Sequence, residues 1–362
     1  MPDILKRIYR LNIMIMKKTD MLYFACDYME GAHENILRKL LEINLEKNTG
    51  YGFDKYSKSA ADKIRKECGL NNQAEVYFLT GGTEANTTII DALTMNHDGV
   101  LTADSGHISV HESGAVEAYG HKVITLESNE GKVSAQTVKD FLVKFNLDAS
   151  KEHMVYPGML YITFPTEVGT VYSLKELEDL RKVCDEYDMP LYMDGARMGY
   201  GLSSYNCDVT LKDIARLCDA FYIGGTKVGA LLGEAAVFTR PLKVRNFLTH
   251  LKCHGGLLAK GWVPAVCFDE LFTDGLYYKI SKHAVDLAMQ IKEALKQKGY
   301  KLYMNSTTNQ QFAVVSNDFC DELSKKVSFD MWAPIDDKHT IIRLATSWAT
   351  TQEDVDKLIS LL

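Results

Sequence analysis

The sequence predicts an α/β protein, with a large domain on a mainly parallel, mixed sheet and a smaller α+β domain at the C-terminal end. Three observations carry this. From Glu75 onward, apolar runs of strand length alternate with amphipathic stretches of helix length, as in a parallel sheet with crossover helices. The run at 234–239 follows its predecessor after only a few residues, which suits an antiparallel hairpin and makes the sheet mixed. After a long helical region over roughly 265–298, the pattern shortens into the pieces of a small α+β unit.

The elements follow in order. EVYFLT (75–80) reads as a strand and TEANTTIIDALTM (83–95) as a helix. GVLTAD (99–104) is a strand followed by a helix through about Tyr119, and HKVITLE (121–127) is the next strand. A helix near 134–145 and the strand MLYITF (159–164) come next. SLKELEDLRKVCDEY (173–187) is a helix opened by a capping box, Ser173 with Glu176. The strand PLYMDG (190–195), a helix near 210–217 and the strand AFYIGG (220–225) lead to the hairpin strand EAAVFT (234–239). Beyond the long helical region lie QFAVVSN (311–317), a helix at 320–326, TIIRLATSW (340–348) and a helix at 352–362. The expected division is an extension over 1–20, a large domain over 21–264 and a small domain over 265–362. No internal repeat or low-complexity linker interrupts it.

Composition narrows the function. A chain of 362 residues with 25% charged and 46% apolar residues has the profile of an ordinary globular protein of about two domains. A net charge of −7 argues against nucleic acid and anionic membrane partners. No apolar run approaches the ~20 residues of a membrane helix. The basic N-terminus lacks the long apolar region and cleavage site of a secretory signal. Eight scattered cysteines with no CxxC pair suit a reducing compartment, and the expected location is cytoplasmic. His250, Cys253 and His254 invite a metal reading, but no further ligand cluster accompanies them. They read as a helix packed at an interface, and no metal is expected.

Three features sit after strands, where ligands of open α/β sheets bind. In LTGGTEANTTI (79–89), Gly81 and Gly82 permit close backbone approach, Thr83 offers a hydroxyl, and the helix start presents free amides to an anion. A tight turn explains this stretch equally well, and neither a P-loop nor a GxGxxG pattern is present. In LYMDGARMGYG (191–201), Asp194 ends an apolar strand and needs a partner, either Arg197 or a cationic ring nitrogen. In GGTKVG, Lys227 is either a lysine extending from a loop or a Schiff-base lysine, whose burial would favour the nucleophilic neutral amine. Together they match the needs of pyridoxal phosphate. Its phosphate takes a helix N-terminus, its ring nitrogen a carboxylate, and its aldehyde a lysine. The missing GxGxxG counts against a nicotinamide oxidoreductase.

On these residues the chain resembles fold-type I pyridoxal-phosphate enzymes, and within them the threonine aldolase group of the β-eliminating lyase family. The resemblance spans about residues 23–350. It runs in one order through CDYMEGAH (26–33), TGYGFDKYS (49–57), GGTEANTTI, SGHISVHESGAVEAYGHKV (105–123), PTEVGTVYSLKEL (165–177), MDGARMGYG, IGGTKVGALLGEA (223–235) and IRLATSWATTQEDVD (342–356). It implies that Lys227 bonds the cofactor, Asp194 pairs with the ring nitrogen, Arg197 contacts the ring's phenolic oxygen, and His107 stacks on the ring. It further implies that Gly82 and Thr83 hold the phosphate, that Arg343 grips the substrate carboxylate, and that Tyr51 and Lys260 reach a neighbouring subunit's site in a homotetramer. The implied reaction is cleavage of L-threonine or L-allo-threonine, a small amino-acid substrate, to glycine and acetaldehyde. β-Elimination on another amino acid is the alternative. The chain departs from many members in having Cys26 where they have serine, near the substrate carboxylate. His107 and His153 are the candidate bases for the β-hydroxyl, and His153 does not align cleanly with the family's second active-site histidine.

Overall fold

Alternating apolar strands have two faces to bury, and the computed structural model, which describes residues 21–240 and 246–362, buries both. The extension expected over 1–20 lies outside the described residues. The chain enters through β1 (Leu22–Tyr23), α1 (Glu34–Ile43) and α2 (Lys55–Cys68). Next come β2 (Glu75–Leu79), α3 (Gly82–Leu93), β3 (Asp98–Ala103), the one-turn helices α4 (His107–Val110) and α5 (Ala115–Ala118), β4 (Lys122–Leu126), α6 (Ala135–Leu147) and β5 (Tyr156–Thr163). α7 (Leu174–Glu186), β6 (Leu191–Asp194), α8 (Met198–Leu202), α9 (Leu211–Leu217), β7 (Ala220–Gly224) and β8 (Glu234–Phe238) complete the large sheet. α10 (Phe247–Cys253), α11 (Trp262–Leu271) and α12 (Leu276–Gln297) lead to β9 (Lys301–Leu302), β10 (Gln310–Ser316), α13 (Asn317–Leu323), β11 (Val327–Ser328), β12 (Asp330–Pro334), β13 (His339–Ala345) and α14 (Gln352–Leu361).

The large sheet has the order β2-β8-β7-β6-β5-β3-β4. Its pairs are parallel except those of β8, which runs antiparallel to both β7 and β2, as the short connection predicts. Leu160, Ile162, Met193 and Ile223 enter the core on one face, and Met159, Tyr161, Tyr192 and Tyr222 the core on the other. β4 and β5 flank β3, so the winding reverses there, the kind of position beyond whose carboxyl ends open α/β sheets bind ligands.

Three local expectations shift. The helix expected through Tyr119 is two short helices, because Ser113 (φ 54°) and Gly114 (φ 74°) take left-handed backbone between them. The long helical region divides into α11 and α12 at Asp274 (φ 49°) and Gly275 (φ 68°). The helix expected at 320–326 starts earlier, at Asn317, because the Ser316 hydroxyl caps it by accepting from Phe319 N at 3.2 Å.

The small unit is an antiparallel sheet, β12-β13-β10-β9, packed on α12 and α14. Leu22 and Phe24, from the start of the chain, belong to its core, and β1 pairs in parallel with β11. Along α12, Tyr277, Ile280, Ala284 and Val285 pack into the large core, while Leu287, Ile291 and Leu295 pack into the small one. α12 thus contributes to both cores, and positions 264–265 fall inside α11.

Candidate active site

β7 delivers the chain into the turn that holds Lys227. Gly224 N donates to Gly195 O at 2.9 Å, so the turns after β6 and β7 pack backbone to backbone. A Cβ at Gly224 would collide with the backbone of Ala196. Gly225 N donates to Glu234 Oε2 at 3.0 Å, and Tyr200 OH donates to Lys227 O at 2.6 Å. The lysine backbone is thus fixed while its amine stays available. Among the described residues no carboxylate lies within ion-pair distance of Nζ, and the Tyr28 ring is 6.0 Å away. Burial, and then the charge of Arg197, lower the proton affinity of Lys227 against the pull of Asp27, Glu167 and Asp194. Beneath the turn, burial pushes the Glu234 carboxyl up to about 8.

Asp194 ends β6 fully buried. Its oxygens accept from Tyr161 OH (2.6 Å), Asn86 Nδ2 (2.9 Å), Ala196 N (2.9 Å) and Tyr222 OH. Burial alone would raise its pKa; the nearby His107 and these donors prevail and hold it below the usual carboxylate range. His107 begins α4, half-buried, with Nδ1 2.6 Å from Glu112 Oε1. Burial opposes its charge, but Glu112, Glu167 and Asp194 raise its pKa above the ordinary value. Asn86 Nδ2 also donates to Glu112 Oε1 at 2.6 Å and so bridges Glu112 and Asp194. Among the described residues this is the one group with three ligand-type side chains, within 4.8 Å of one another. Asp194 already accepts from Asn86 and the tyrosines and Glu112 Oε1 holds His107 and Asn86, while Glu112 Oε2 is buried without a partner.

α3 opens at Gly82 with no side-chain cap. Its first intrahelical bond is Ala85 N to Gly81 O at 2.9 Å, so the preceding amides have no intrahelical partner. Glu84 turns away to Thr80 N (3.1 Å) and Thr88 Oγ1 (2.9 Å) and leaves the helix end to an anion. Gly81 has open space where a Cβ would stand, and Thr83 is exposed beside it.

Arg197 does not pair with Asp194. It is buried against Asp27, with Nε at 2.7 Å and Nη2 at 3.1 Å, and Asn309 Nδ2 donates to the same carboxylate at 2.9 Å. Arg343 lies on β13, where Nη2 donates to Ala25 O at 3.2 Å and pairs with Asp330 at 2.8 Å. Its guanidinium stands 5.3 Å over the Trp332 ring, and its Nε is buried without a partner. Burial raises the Tyr28 pKa, Cys26 adds to the rise and the charge of Arg343 opposes it, and the Tyr28 ring lies 6.0 Å from Lys227 Nζ.

The remaining sequence candidates lie elsewhere on the protomer. Tyr51 (φ 62°) donates its N–H to Ala259 O at 3.3 Å, one residue before the exposed Lys260, and carries Lys252 Nζ 5.1 Å over its ring. The two therefore lie close together on the surface. His153 is exposed before β5, at the amino edge of the sheet, opposite the carboxyl edge that carries Asp194.

Among the described residues, an anion-receptive helix start, an ionised buried carboxylate with no cationic side chain within ion-pair distance, and a lysine with no carboxylate in contact fit pyridoxal phosphate. Sequence reasoning missed Asp27, Asn86, Glu112, Tyr161, Glu167, Tyr222 and Glu234. Strand alternation could have found two of them: Tyr161 and Tyr222 share a core with Tyr192, two residues before Asp194.

The profile of the β-eliminating lyase family matches residues 24–318. A low specificity L-threonine aldolase of Pseudomonas sp. is 27% identical over 306 residues, 84% of this chain and 87% of that protein. A solved threonine aldolase of Leishmania major superimposes with a TM-score of 0.91 at 36% identity, over 94% of this chain and 98% of that one. A putative L-allo-threonine aldolase of Listeria monocytogenes, at 16% identity, covers 94% of this chain and 95% of its own with a TM-score of 0.70, and shares the fold. With over three quarters of its length inside the matched profile, and with a site of this composition, the chain belongs to the β-eliminating lyase family.

Proposed function

We infer that the protein is a threonine aldolase, a carbon–carbon lyase that depends on pyridoxal phosphate and cleaves L-threonine or L-allo-threonine to glycine and acetaldehyde. The observation that carries the reading is Lys227, buried in a fixed turn that interlocks with the turn after Asp194 through Gly224 N and Gly195 O, with lowered proton affinity.

Pyridoxal phosphate, when bound, supplies a protonated ring that accepts the electron pair left on the α-carbon. Lys227 would hold it covalently, Asp194 would keep its ring nitrogen protonated, and Gly82 and Thr83 would hold its phosphate. His107, oriented by Glu112, would cover one ring face, and Arg197 would face the phenolic oxygen. Arg343, with its unused Nε, would bind the substrate carboxylate beside Cys26 and so orient the Cα–Cβ bond. The Cys26 thiol is a weaker hydrogen-bond partner than a hydroxyl, so carboxylate grip would rest more on Arg343. The protein would act as a cytoplasmic homotetramer, in which Tyr51 and Lys260 would reach the site of a neighbouring subunit.

The test is Lys227→Ala supplied with pyridoxal phosphate. Wild type is expected to release acetaldehyde from L-threonine or L-allo-threonine, and the variant to show no steady turnover. Undiminished turnover in the variant would sink the assignment.

A further inference from the structure

Glu167, in the loop after β5, has no part in the chemistry so far. The other carboxylates around Lys227 and His107 each hold donors, although Glu112 Oε2 is buried without a partner. Asp194 accepts from four donors, Asp27 serves Arg197 and Asn309, Glu112 serves His107 and Asn86, and Glu234 accepts from Gly225 N. Glu167 stands 3.9 Å from Arg197 Nη1, beyond hydrogen-bond distance, with its side chain 12% exposed. Its charge raises the proton affinity of both Lys227 and His107, and it stands beside Arg197 in the loop beyond the carboxyl end of β5.

The loop that carries Glu167 is firmly set. Thr166 N donates to Thr170 O and Gly169 N to Thr166 O, each at 2.9 Å. Thr170 Oγ1 donates to Glu130 O at 2.7 Å, and a Cβ on Gly169 (φ 76°) would collide with Ser306. Phe164 N donates to Asp194 O at 2.8 Å, which ties the start of the loop to the strand end that carries the ring's carboxylate. His107, in contrast, spends Nδ1 on Glu112.

We propose that Glu167 is the catalytic base that takes the proton of the substrate's β-hydroxyl. The proposal rests on the aldolase reading. The β O–H bond breaks and its proton passes to the Glu167 carboxylate. The oxygen's electron pair forms the C=O of the departing aldehyde as the Cα–Cβ bond breaks. That bond's pair stays on the α-carbon, which takes a proton from solvent to become glycine. Glu167 then returns its proton to solvent, and the count closes.

Two assays on the full chain loaded with pyridoxal phosphate test this. One is cleavage of L-threonine and L-allo-threonine. The other is exchange of the glycine α-hydrogen in D2O, which needs Lys227 and the ring but no β-hydroxyl base. In Glu167→Gln, kcat for cleavage is expected to fall ~10²-fold or more, the usual share of a general base. Glycine exchange, cofactor affinity and KM stay at wild-type values, and Glu167→Asp recovers part of the loss. Unchanged cleavage in Glu167→Gln overturns the proposal. Equal losses in both assays also overturn it, since they mark a residue that only steadies Arg197. A wild type that exchanges the glycine hydrogen yet cleaves neither isomer overturns the aldolase reading, and the proposal with it, before any variant is made.

Discussion

At the scale of single residues, the site is a set of buried charges whose proton affinities are pushed apart. Burial would raise the Asp194 and Asp27 carboxyls, yet His107 and the donors around Asp194, and Arg197 beside Asp27, hold both below their ordinary values. Each therefore contributes stability at neutral pH that is lost as pH falls below ~4. Glu234 has the opposite sign. Its carboxyl is pushed up to about 8, so folding favours its protonated form. Its contribution is complete below the ordinary glutamate value of ~4.3 and is lost as pH rises toward its folded value. Glu234→Gln keeps an acceptor for Gly225 N but cannot ionise. In cofactor-free protein, the thermal midpoint of the variant minus that of wild type is expected to increase from pH 5 to about pH 8 and then level off. A difference that does not change with pH would contradict the buried, proton-bearing carboxyl. The sequence made Lys227, Asp194 and Arg197 legible because each sits in a short motif at a strand end. It did not reveal the Arg197–Asp27 or His107–Glu112 pairing, because partner choice depends on side chains that meet only in the folded chain.

At the scale of elements, three strand-to-loop junctions build the site: β2 into α3, β6 into its Asp194 turn, and β7 into the Lys227 turn. Two of them interlock through Gly195 and Gly224. Gly224→Ala would drive a methyl into the Ala196 backbone, which cannot turn aside as a side chain can. A loss of ~1–3 kcal/mol is expected by chemical denaturation, together with weakened cofactor binding. Wild-type stability in that variant would mean that the two turns are not packed as described. The alternating elements from Glu75 onward were legible through their periodicity, and the hairpin of β8 through its short connection. α1, α2 and the edge strand β12 were not assigned from sequence. β12 is a five-residue strand held by pairing with β13, an interaction that local pattern does not contain. The capping of α13 by Ser316 was readable in principle, since a serine three residues before Phe319 marks a helix start.

At the scale of the whole molecule, the large sheet with its hairpin strand and the small antiparallel unit follow the predicted class. The sharing of α12 between two cores, and the return of Leu22 and Phe24 to the C-terminal unit, depend on contacts too distant in sequence to be read there. No helix among the described residues is long and apolar enough to cross a membrane. Leu37, Leu41 and Leu45 are 47%, 55% and 90% exposed, and Phe53 is 68% exposed near Tyr51. Sedimentation is expected to give four times the chain mass, and a monomer would contradict sites shared between subunits. The central claim is retro-aldol cleavage at Lys227, and product stoichiometry tests it most directly. With pyridoxal phosphate supplied, L-threonine or L-allo-threonine is predicted to yield glycine and acetaldehyde in equal amounts. A keto acid and ammonia in their place would contradict it and make the protein a β-eliminating enzyme acting through the same lysine.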